Sequence, residues 1–553
     1  MTDDQYRREY AHHLIEQVNK GQMTRRQLLV RASVFGFSVT AAGSLLAACG
    51  GGTTSNSPTA SASAGGNPAP KSGGTLRISA PVSITALDPI TTYDVGGGCQ
   101  IMQVGEYLTW VENDMTLRPV LATSWSPDPA GKVWTFKIRE GVTFNDGSPL
   151  EAEDVVATFE RLVDPKSGSS ALSVYAGLLS PGGIEAIDTY TVAFHLDRAF
   201  ADFPYLVSSS VYNTIILPRN YGGNFLKTPV GTGPFMLAEY VHNQRASYVR
   251  NPNYWQKGFP YLDDLEFSLY ADPAGSSLRM QGGAVDMQLV TPFQGVKVLE
   301  ADPRFKVLEI KTAAPVILKM RGDAAPFSDV KVRQAVAYCI DRPAVIKALF
   351  DGKSTLGNDT VFCSLFPNSP QLSQRAQDYA KAKQLLADAG HANGVDVTLT
   401  IHPETVIPQY GQLIKAMCEP AGIKVKLDQV AYNEYYSGKG MDQVWIAVPF
   451  SITEWSPRPT AAQFLSAMLM SDGVWNETAY NSPEHDKLAV EYDATVDEAK
   501  RAQIAMQLAT LENTDVPQAI AFWTSQLRAM VTNLYDVQGP GGMFLDLSKA
   551  YLA

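Results

Sequence analysis

The feature that most constrains the fold is a strand–helix–strand pattern between residues 395 and 427. Apolar and polar residues alternate over 395–401 and again over 423–427, and residues 405–419 between them can form a helix. A connection of this length between two strands joins parallel neighbours through a right-handed crossover. The pattern therefore predicts an α/β domain in the C-terminal half of the chain.

The segments around this unit continue the alternation of helices and strands. Residues 332–340 have apolar side chains at helical spacing after Ser328 or Asp329 as the N-cap, and Pro343 suits the first turn of a following helix that ends near Gly352. Further helices are predicted over 379–389 and 498–513, and a further apolar strand over 442–450.

The first half of the chain has a more mixed pattern. Alternation over residues 74–79, 133–139 and 191–196 predicts strands, and helical spacing predicts a helix over 152–163. His195 points away from the apolar side of its strand, so we expect it to be solvated.

The N-terminal segment predicts export. Arg25 and Arg26 precede an uncharged run of 17 residues over 32–48, which suits the apolar region of a signal peptide better than a retained membrane anchor. The arginine pair resembles a twin-arginine signal, with an ordinary secretory signal as the alternative.

Residues 46–49 (LAAC) resemble a bacterial lipobox, in which Cys49 would receive the lipid and become the first residue of the mature protein. Residues 49–74 are rich in Gly, Ser, Thr, Ala and Pro and contain no aromatic residue, which predicts a flexible tether. The predicted order is a signal peptide over 1–48, a tether over 49–74 and a folded remainder.

Composition narrows the class of protein. The chain has 553 residues, enough for two or three domains, and its 22 Phe, 24 Tyr and 8 Trp exclude overall disorder. Cleavage after residue 48 removes 6 of 45 basic and 4 of 56 acidic residues, so the net charge changes from −11 to about −13. An acidic chain of this kind argues against nucleic-acid binding.

Known catalytic and metal-binding motifs are missing from the sequence. Residues 352–354 (GKS) lack the upstream glycine of a phosphate loop, and no Gly-x-Ser-x-Gly motif occurs. The five mature histidines are scattered, so we expect no metal and no cofactor. Among Cys99, Cys339, Cys363 and Cys418 one disulfide stays possible, and convergent carboxylates of a hydrolase stay possible.

Eight ordered segments of the mature chain resemble family 5 extracellular solute-binding proteins, the dipeptide-, oligopeptide- and nickel-binding components of ABC importers. The segments are residues 117–125 (LRPVLATSW), 134–147 (WTFKIREGVTFNDG), 152–155 (AEDV), 230–235 (VGTGPF), 250–255 (RNPNYW), 326–335 (PFSDVKVRQA), 340–342 (IDR) and 480–484 (YNSPE). Their glycines and turn residues also suit a structural role, so we do not assign them to a ligand.

The resemblance implies a type II periplasmic-binding-protein fold of class α/β, with two lobes joined by a two-segment hinge. Lobe one would comprise residues 75–320 and 525–553, with an extra α+β domain inserted near 110–225. Lobe two would comprise residues 322–522, and the ligand would be enclosed as the lobes close.

The resemblance also implies where a ligand is held. In lobe one the loop after the first strand contributes Tyr93, Gly97 and Gly98; in lobe two the candidates are Trp445, Phe450, Glu454, Trp455 and Arg458. Peptide-binding members carry an Asp in this second segment for the ligand amine. Glu454 is the candidate for that role, and Arg458 is a candidate for pairing with a ligand carboxylate or with Glu454 itself.

The predicted function is that of a membrane-anchored substrate-binding subunit of an ABC importer. It would be a monomer at the extracytoplasmic face of a bacterial membrane, would catalyse no reaction, and would deliver its ligand to the transmembrane permease. A peptide, an opine, a sugar or another amine or amide stays open as the ligand. The alternatives are an exported hydrolase and a sensory binding protein without transport.

Overall fold

The computed structural model describes residues 67–293, 295–438, 442–541 and 544–553. The predicted signal peptide, Cys49 and the tether up to residue 66 lie outside the described residues. Within the described ranges, no helix combines the length and the apolar character needed to cross a membrane.

The first half of the chain contains eleven strands and six helices among the described residues. In chain order they are β1 (Thr75–Pro81), α1 (Val95–Ile101), β2 (Thr109–Val111), β3 (Leu117–Pro119), β4 (Ala122–Pro127), β5 (Val133–Ile138), α2 (Ala152–Val163), α3 (Leu172–Tyr175), β6 (Ile184–Asp188), β7 (Thr191–His195), α4 (Phe203–Leu206), β8 (Phe235–Val241), β9 (Arg245–Arg250), β10 (Asp264–Tyr270), α5 (Pro273–Gln281), β11 (Met287–Gln288) and α6 (Val296–Glu300). A 3₁₀ turn spans Tyr212–Thr214.

The numbering of helices and strands continues in chain order through the second half of the chain. Its elements are β12 (Phe305–Met320), α7 (Val330–Cys339), α8 (Arg342–Phe350), β13 (Thr355–Leu356), α9 (Tyr379–Asp388), β14 (Val395–Ile401), α10 (Ile407–Cys418), β15 (Ile423–Gln429), α11 (Tyr432–Tyr435), α12 (Val444–Ala447), β16 (Phe450–Glu454), α13 (Ala461–Phe464), α14 (Pro483–Ala494), α15 (Glu498–Asp515), β17 (Gln518–Val531), β18 (Leu534–Tyr535), β19 (Gln538–Gly541), β20 (Phe544–Asp546) and β21 (Tyr551–Leu552).

One sheet runs through the whole described structure in the order β15-β14-β16-β12-β17-β11-β1-β10-β9-β8, with β13 paired to β17. Its middle is the antiparallel pair of the two longest strands, β12 and β17. The second-half strands lie on one side of this pair, and the first-half strands lie on the other side. Two strands therefore carry the connection between two lobes.

The apolar cores of the two lobes are separate clusters, and β12 contributes to the core of the second lobe and to a smaller cluster. Val316, Leu318 and Met320 near the end of β12 pack in the core of the second lobe, whereas Phe305 at its start packs in a smaller cluster with Ala529 of β17. The pairing of β12 with β17 is irregular between Lys311 and Ala314. Such an irregularity bends and twists a strand locally, which suits a crossing point between lobes.

A separate antiparallel sheet, β4-β5-β7-β6, lies in the first lobe with α2 beside it. Phe194 at its centre contacts Phe136, Phe159 and Phe203, with ring centroids 4.9–5.5 Å apart. Aromatic edge-to-face contacts of this kind stabilise a compact core. We refer to this sheet and α2–α4 as the inserted subdomain.

Most of the local predictions are confirmed. Strands β14 and β15 are parallel and α10 joins them. Helix α2 has the predicted bounds, and Asp329 accepts a hydrogen bond from the backbone N–H of Lys331 as the N-cap of α7. The side chain of His195 is exposed and lies 3.1 Å from Glu185.

The predicted strand over residues 442–450 is wrong. Residues Val444–Ala447 form the short helix α12, and the strand begins only at Phe450 after Pro449, which has no backbone N–H to donate. A short apolar run does not by its pattern distinguish a buried helical turn from a buried strand. The strand ends at Glu454.

The predicted division into lobes at residues 320–322 and 522–525 stays a prediction. These positions lie on or directly beside β12 and β17, the two strands that connect the lobes.

Candidate functional site

The second lobe presents the carboxyl ends of two neighbouring parallel strands, β14 and β16. The chain leaves β14 through His402 and Thr405, and it leaves β16 through Trp455 and Arg458. In open α/β sheets, ligands bind outside the carboxyl ends of the strands. This edge is therefore the candidate site of the second lobe.

Glu454 at the end of β16 has one engaged and one open carboxylate oxygen. Its Oε1 accepts a hydrogen bond of 2.6 Å from the Thr405 hydroxyl, and no described residue donates to its Oε2. Burial raises the pKa of Glu454, and the Thr405 hydrogen bond opposes this rise. A partly desolvated carboxylate with a free oxygen can accept a hydrogen bond from a cationic group.

The residue that positions Glu454 is strained. Thr405 has φ of +57°, a left-handed conformation that is a genuine outlier for a β-branched residue. Such a conformation costs about 1–3 kcal/mol and is typical of binding and active sites. The strained loop aims the Thr405 hydroxyl at Glu454.

His402 lies behind Glu454 and is fully buried. Its Nδ1 accepts a 3.3 Å hydrogen bond from the Glu404 N–H, which leaves the proton of the neutral ring on Nε2. That Nε2 has no hydrogen-bond partner and lies 3.9 Å from Glu454 Oε2. Burial lowers the pKa of His402.

Aromatic rings continue from this point along the second lobe. The rings of Tyr432 and Tyr436 contact each other at 5.1 Å, Tyr436 contacts Trp445 at 6.0 Å, and Trp445 contacts Trp455 at 6.4 Å. Trp455 then contacts Trp475, of which 38% is exposed. We call these five residues the aromatic row. Its exposed ends, Tyr432 and Trp475, offer flat apolar surface, and Trp455 within the row directly follows Glu454 in the chain.

Two buried ionisable residues, Glu477 and Lys319, form hydrogen bonds with the tryptophans of the aromatic row or with the backbone beside them. Glu477 accepts hydrogen bonds from Trp455 Nε1 and the Thr453 hydroxyl, each 2.8 Å. The Lys319 ammonium donates to the backbone carbonyls of Trp445 and Ile446 at 2.5 and 3.0 Å. Burial raises the pKa of Glu477, and burial lowers that of Lys319. Trp445 and Trp455, the two tryptophans predicted from the sequence to contact a ligand, are therefore held by polar contacts as well as by packing.

Arg458 lies one step further along the same segment and is half-buried. Burial lowers its pKa, and the group that interacts with it electrostatically is Tyr212 of the first lobe. No described residue forms an ion pair with Arg458, so the predicted alternative of a pair with Glu454 is not seen.

The first-lobe segment differs from the predicted loop. Tyr93 is 57% exposed, but Gly97 and Gly98 are buried in helix α1. Their N–H groups already donate to Asp94, to its carboxylate and its carbonyl respectively. A Cβ on Gly97 would lie 2.8 Å from Thr92, so close packing explains this glycine.

Three of the predicted lobe-two residues, Glu454, Trp455 and Arg458, lie on one segment, and Trp445 joins them through its ring contact with Trp455. Phe450 lies apart from them, because its ring packs against Phe327 in the core of the second lobe. Contact between the Phe450 side chain and a ligand is therefore not supported, and the other assignments stay predictions.

Sequence reasoning missed several residues of this site. Residues 432–436 (YNEYY) could have been selected from the sequence, since three tyrosines within five residues are unusual. His402, Thr405 and Glu477 carry no such signal, because the sheet order brings them to Glu454 and Trp455 from distant parts of the chain.

The family-like motifs of the first half form an interior scaffold. Tyr254 and Trp255 donate hydrogen bonds of 2.7 Å each to the buried carboxylate of Glu106, and Asn251 donates to the Gly233 carbonyl. A Cβ on Gly233 would lie 2.6 Å from the backbone of Val104. These motifs fix the packing of the first lobe, as the sequence suggests.

The four described cysteines are free thiols and all are buried. Among the described residues, no group of three or more His, Cys, Asp and Glu side chains is placed to hold a metal ion.

Comparisons with known proteins agree with this architecture. The family model for bacterial extracellular solute-binding proteins, family 5 Middle, matches residues 116–477, which is more than half of the chain. The chain belongs to this family. Members of the family are extracytoplasmic binding proteins, and the fold is of the type II periplasmic-binding-protein kind.

Two relatives and one solved structure show to which proteins the chain is similar. The chain is 29% identical over 432 residues to heme-binding protein A of Haemophilus influenzae, covering 72% of this chain and 78% of that protein. It is 26% identical over 411 residues to the glutathione-binding protein GsiB of Escherichia coli, with the same shares. The structure resembles the ABC transporter-associated periplasmic binding protein DppA from Helicobacter pylori in complex with peptide STSA, with a TM-score of 0.68, 22% identity and coverage of 87% and 98%.

Proposed function

We propose that the protein is the lipid-anchored substrate-binding subunit of an ABC importer, and that it captures a peptide-like or other small polar solute between its two lobes. Capture would take place at the extracytoplasmic face of the membrane. The closed complex would then deliver the solute to the transmembrane permease. The protein would act as a monomer and would catalyse no reaction.

The observation that carries the proposal is the grouping of Glu454, Arg458 and the aromatic row at the carboxyl edge of the second lobe. An open carboxylate oxygen, a cation that forms no ion pair with a described residue and flat aromatic surface can together bind a polar solute without any catalytic group. Relatives with this fold include proteins named for glutathione, heme and peptide binding.

The proposed lipid anchor and export signal are supported by the sequence alone. The Arg25–Arg26 pair, the uncharged run that follows it and Cys49 support a lipoprotein signal, and residues 49–74 support a tether. Intact-mass measurement of protein extracted from membranes tests this. Loss of residues 1–48 with a lipid-sized mass gain on Cys49 is expected, and the Cys49→Ala variant should stay unprocessed.

The ligand is tested by mass spectrometry of small molecules released from natively purified protein. A thermal-shift panel of peptides, opines and sugars follows, because a ligand at one hundred times its Kd adds about 2.7 kcal/mol to the free energy of unfolding. Glu454→Gln is the matched variant, since its side chain is partly exposed and its loss leaves the core intact. Conversion of a probe to products by the wild-type protein would instead support the hydrolase.

A further inference from the structure

His402 has a buried hydrogen-bond donor that the described structure does not use. Its Nδ1 accepts a hydrogen bond of 3.3 Å from the Glu404 N–H, so the proton of the neutral ring is on Nε2. That Nε2 is buried and has no hydrogen-bond partner. Buried polar atoms are normally satisfied, because an unpaired one loses its hydration without compensation. We therefore expect the Nε2–H donor to gain a partner in another state of the protein.

The acceptor beside this donor is the open carboxylate oxygen of Glu454. Nε2 lies 3.9 Å from Glu454 Oε2, which is about 1 Å too far for a hydrogen bond. The other oxygen of the same carboxylate accepts a hydrogen bond of 2.6 Å from the Thr405 hydroxyl. A small rotation of the carboxylate closes the gap. His402 and Glu454 thus form a donor and an acceptor that are close together but not bonded.

The loop over residues 402–405 connects the state of the His402 ring to Glu454. At one end, His402 Nδ1 holds the Glu404 N–H, and at the other end the strained Thr405 holds the Glu454 carboxylate. A second proton on the ring would occupy Nδ1, which then no longer accepts from Glu404. Protonation of His402 therefore frees this loop and, at the same time, places a positive charge beside Glu454.

Aromatic rings and two carboxylates form the surroundings of His402. Three tyrosine rings, at the start, at the end and directly after α11, lie with their centroids 5.2–5.7 Å from the His402 ring: Tyr432, Tyr435 and Tyr436. Burial raises the pKa of Tyr435 and of Tyr436, so both stay uncharged in neutral and acidic solution. The charged groups that face His402 are therefore Glu404 of the same loop and Glu454 of β16.

We infer that His402 is a positioning residue for Glu454 and couples solute binding to protons. Neutral His402 leaves the Glu454 carboxylate open for a ligand cation, and protonated His402 forms an ion pair with that carboxylate itself. The inference rests on the proposed solute-binding function, with Glu454 as the group that binds an amine. Since the proton and the ligand cation compete for one carboxylate, each weakens the binding of the other by the same factor.

The competition acts in mildly acidic solution. Burial lowers the pKa of His402 below its ordinary value of 6.5, although Glu404 opposes this change, so the ring gains its proton only below that pH. Burial raises the pKa of Glu454, so this carboxylate also loses charge as the solution becomes acidic. Both changes weaken the binding of a cation, and only the first one depends on His402. The experiment therefore separates the two residues.

The first measurement needs no ligand. Histidine labelled with ¹³C is introduced into the mature chain, and the NMR signal that is absent from His402→Asn identifies His402. Asn is chosen because its Oδ1 can replace Nδ1 as the acceptor of the Glu404 N–H. We expect Glu454→Gln to lower the pKa of His402 below its value in the wild-type protein, because the substitution removes a negative charge 3.9 Å from the ring. The signal of His195, an exposed side chain paired with Glu185, should titrate identically in both proteins.

The second measurement is calorimetry with trialanine at pH 7.5 and pH 5.5 and at constant ionic strength. We expect wild-type protein to bind trialanine about fivefold more weakly at the lower pH. His402→Asn and His402→Gln should each reduce this difference to less than about twofold, because neither side chain can gain a charge. His195→Gln is the control, since it also removes one histidine and lies outside the site, and it should retain the wild-type difference.

The possible outcomes separate the coupling from the proposed function. An unchanged titration of His402 in Glu454→Gln would overturn the coupling. A pH dependence of binding that survives in both His402 variants would assign it to Glu454 alone and would overturn the role of His402. If trialanine binds at neither pH, the peptide-like ligand is rejected and the titration decides alone. A lower pKa of His402 in Glu454→Gln then supports the coupling, and an equal one overturns it.

Discussion

The guanidinium of Arg501 forms a two-pronged ion pair with the carboxylate of Asp202, with both N–O distances at 2.6 Å. Asp202 precedes helix α4 of the inserted subdomain, and Arg501 lies in α15 of the second lobe. Arg198 contacts Asp493 next to them at 3.0 Å. The inserted subdomain is thus joined to the second lobe by a polar contact outside the two connecting strands.

Asp202→Asn should destabilise the folded protein. The Asp202 side chain is almost fully buried and that of Arg501 is mostly buried, so the substitution leaves a desolvated guanidinium without its counter-charge. We expect the free energy of unfolding in urea to fall by about 3 kcal/mol. The double variant Asp202→Asn/Arg501→Met should recover part of this loss, because it removes the unpaired charge.

Glu239→Gln provides the comparison for Asp202→Asn. Glu239 and Arg245 pair at 2.8 Å on the exposed surface of the first lobe, where such a pair contributes at most about 1 kcal/mol. Equal losses in the two variants would show that the Asp202–Arg501 contact is no stronger than a surface pair.

Glu454→Gln should remove recognition of a ligand amine while leaving the fold unchanged. The carboxylate has one oxygen free for a cation, and an amide oxygen in its place carries no charge. With trialanine and N-acetyl-trialanine as probes, wild-type protein should prefer the free amine about tenfold. Calorimetry on both proteins measures the preference. Retention of the full preference in the variant would remove Glu454 from the site.

Local structure could be predicted from the sequence where periodicity and capping residues agree. Helix α7 begins at Asp329 and strands β14 and β15 flank α10 as their alternation indicates. The prediction failed at residues 442–450, because a short apolar run suits a helical turn and a strand equally. The expected loop at Gly97 is a helix in the structure, because a glycine needed for close packing in a helix resembles a loop glycine in the sequence.

The candidate site could be predicted only along one segment of chain. Glu454, Trp455 and Arg458 are close in sequence and share the end of β16, so resemblance to a family was enough to select them. Thr405 lies 49 residues before Glu454 in the chain, and the pairing of β14 with β16 brings the two side chains together. Local pattern carries no information about such pairings.

The stability of the first lobe should depend on pH through Glu106. Burial raises the pKa of Glu106 from 4.5 to about 7, although hydrogen bonds from Tyr254 and Trp255 oppose the rise. The folded protein therefore binds this proton more tightly than the unfolded chain, and the free energy of unfolding falls as the pH rises from 4.5 to about 7. The slope for one such group is at most about 1.4 kcal/mol per pH unit.

Urea titrations of wild-type protein and Glu106→Gln at four pH values between 5 and 8 measure this contribution. The variant should be the less stable at pH 5, because an amide oxygen cannot accept both hydrogen bonds as well, and the difference should shrink or reverse by pH 8. Exposed Glu266→Gln should follow the wild-type curve. Parallel curves for wild type and Glu106→Gln would exclude Glu106 as a source of the pH dependence.

Asp359→Asn should be the most destabilising single change of charge in the second lobe. The fully buried Asp359 carboxylate accepts hydrogen bonds of 2.6–2.7 Å from Arg342 and Arg375, and a further one from the Ile520 N–H. Its φ is +59°, a conformation that Asn adopts as readily as Asp, so the substitution removes the charge without new backbone strain. The buried guanidinium groups of Arg342 and Arg375 then lose their common counter-charge. We expect the free energy of unfolding to fall by about 3–5 kcal/mol. A loss below about 1 kcal/mol would contradict the role of Asp359 as the buried counter-charge of Arg342 and Arg375.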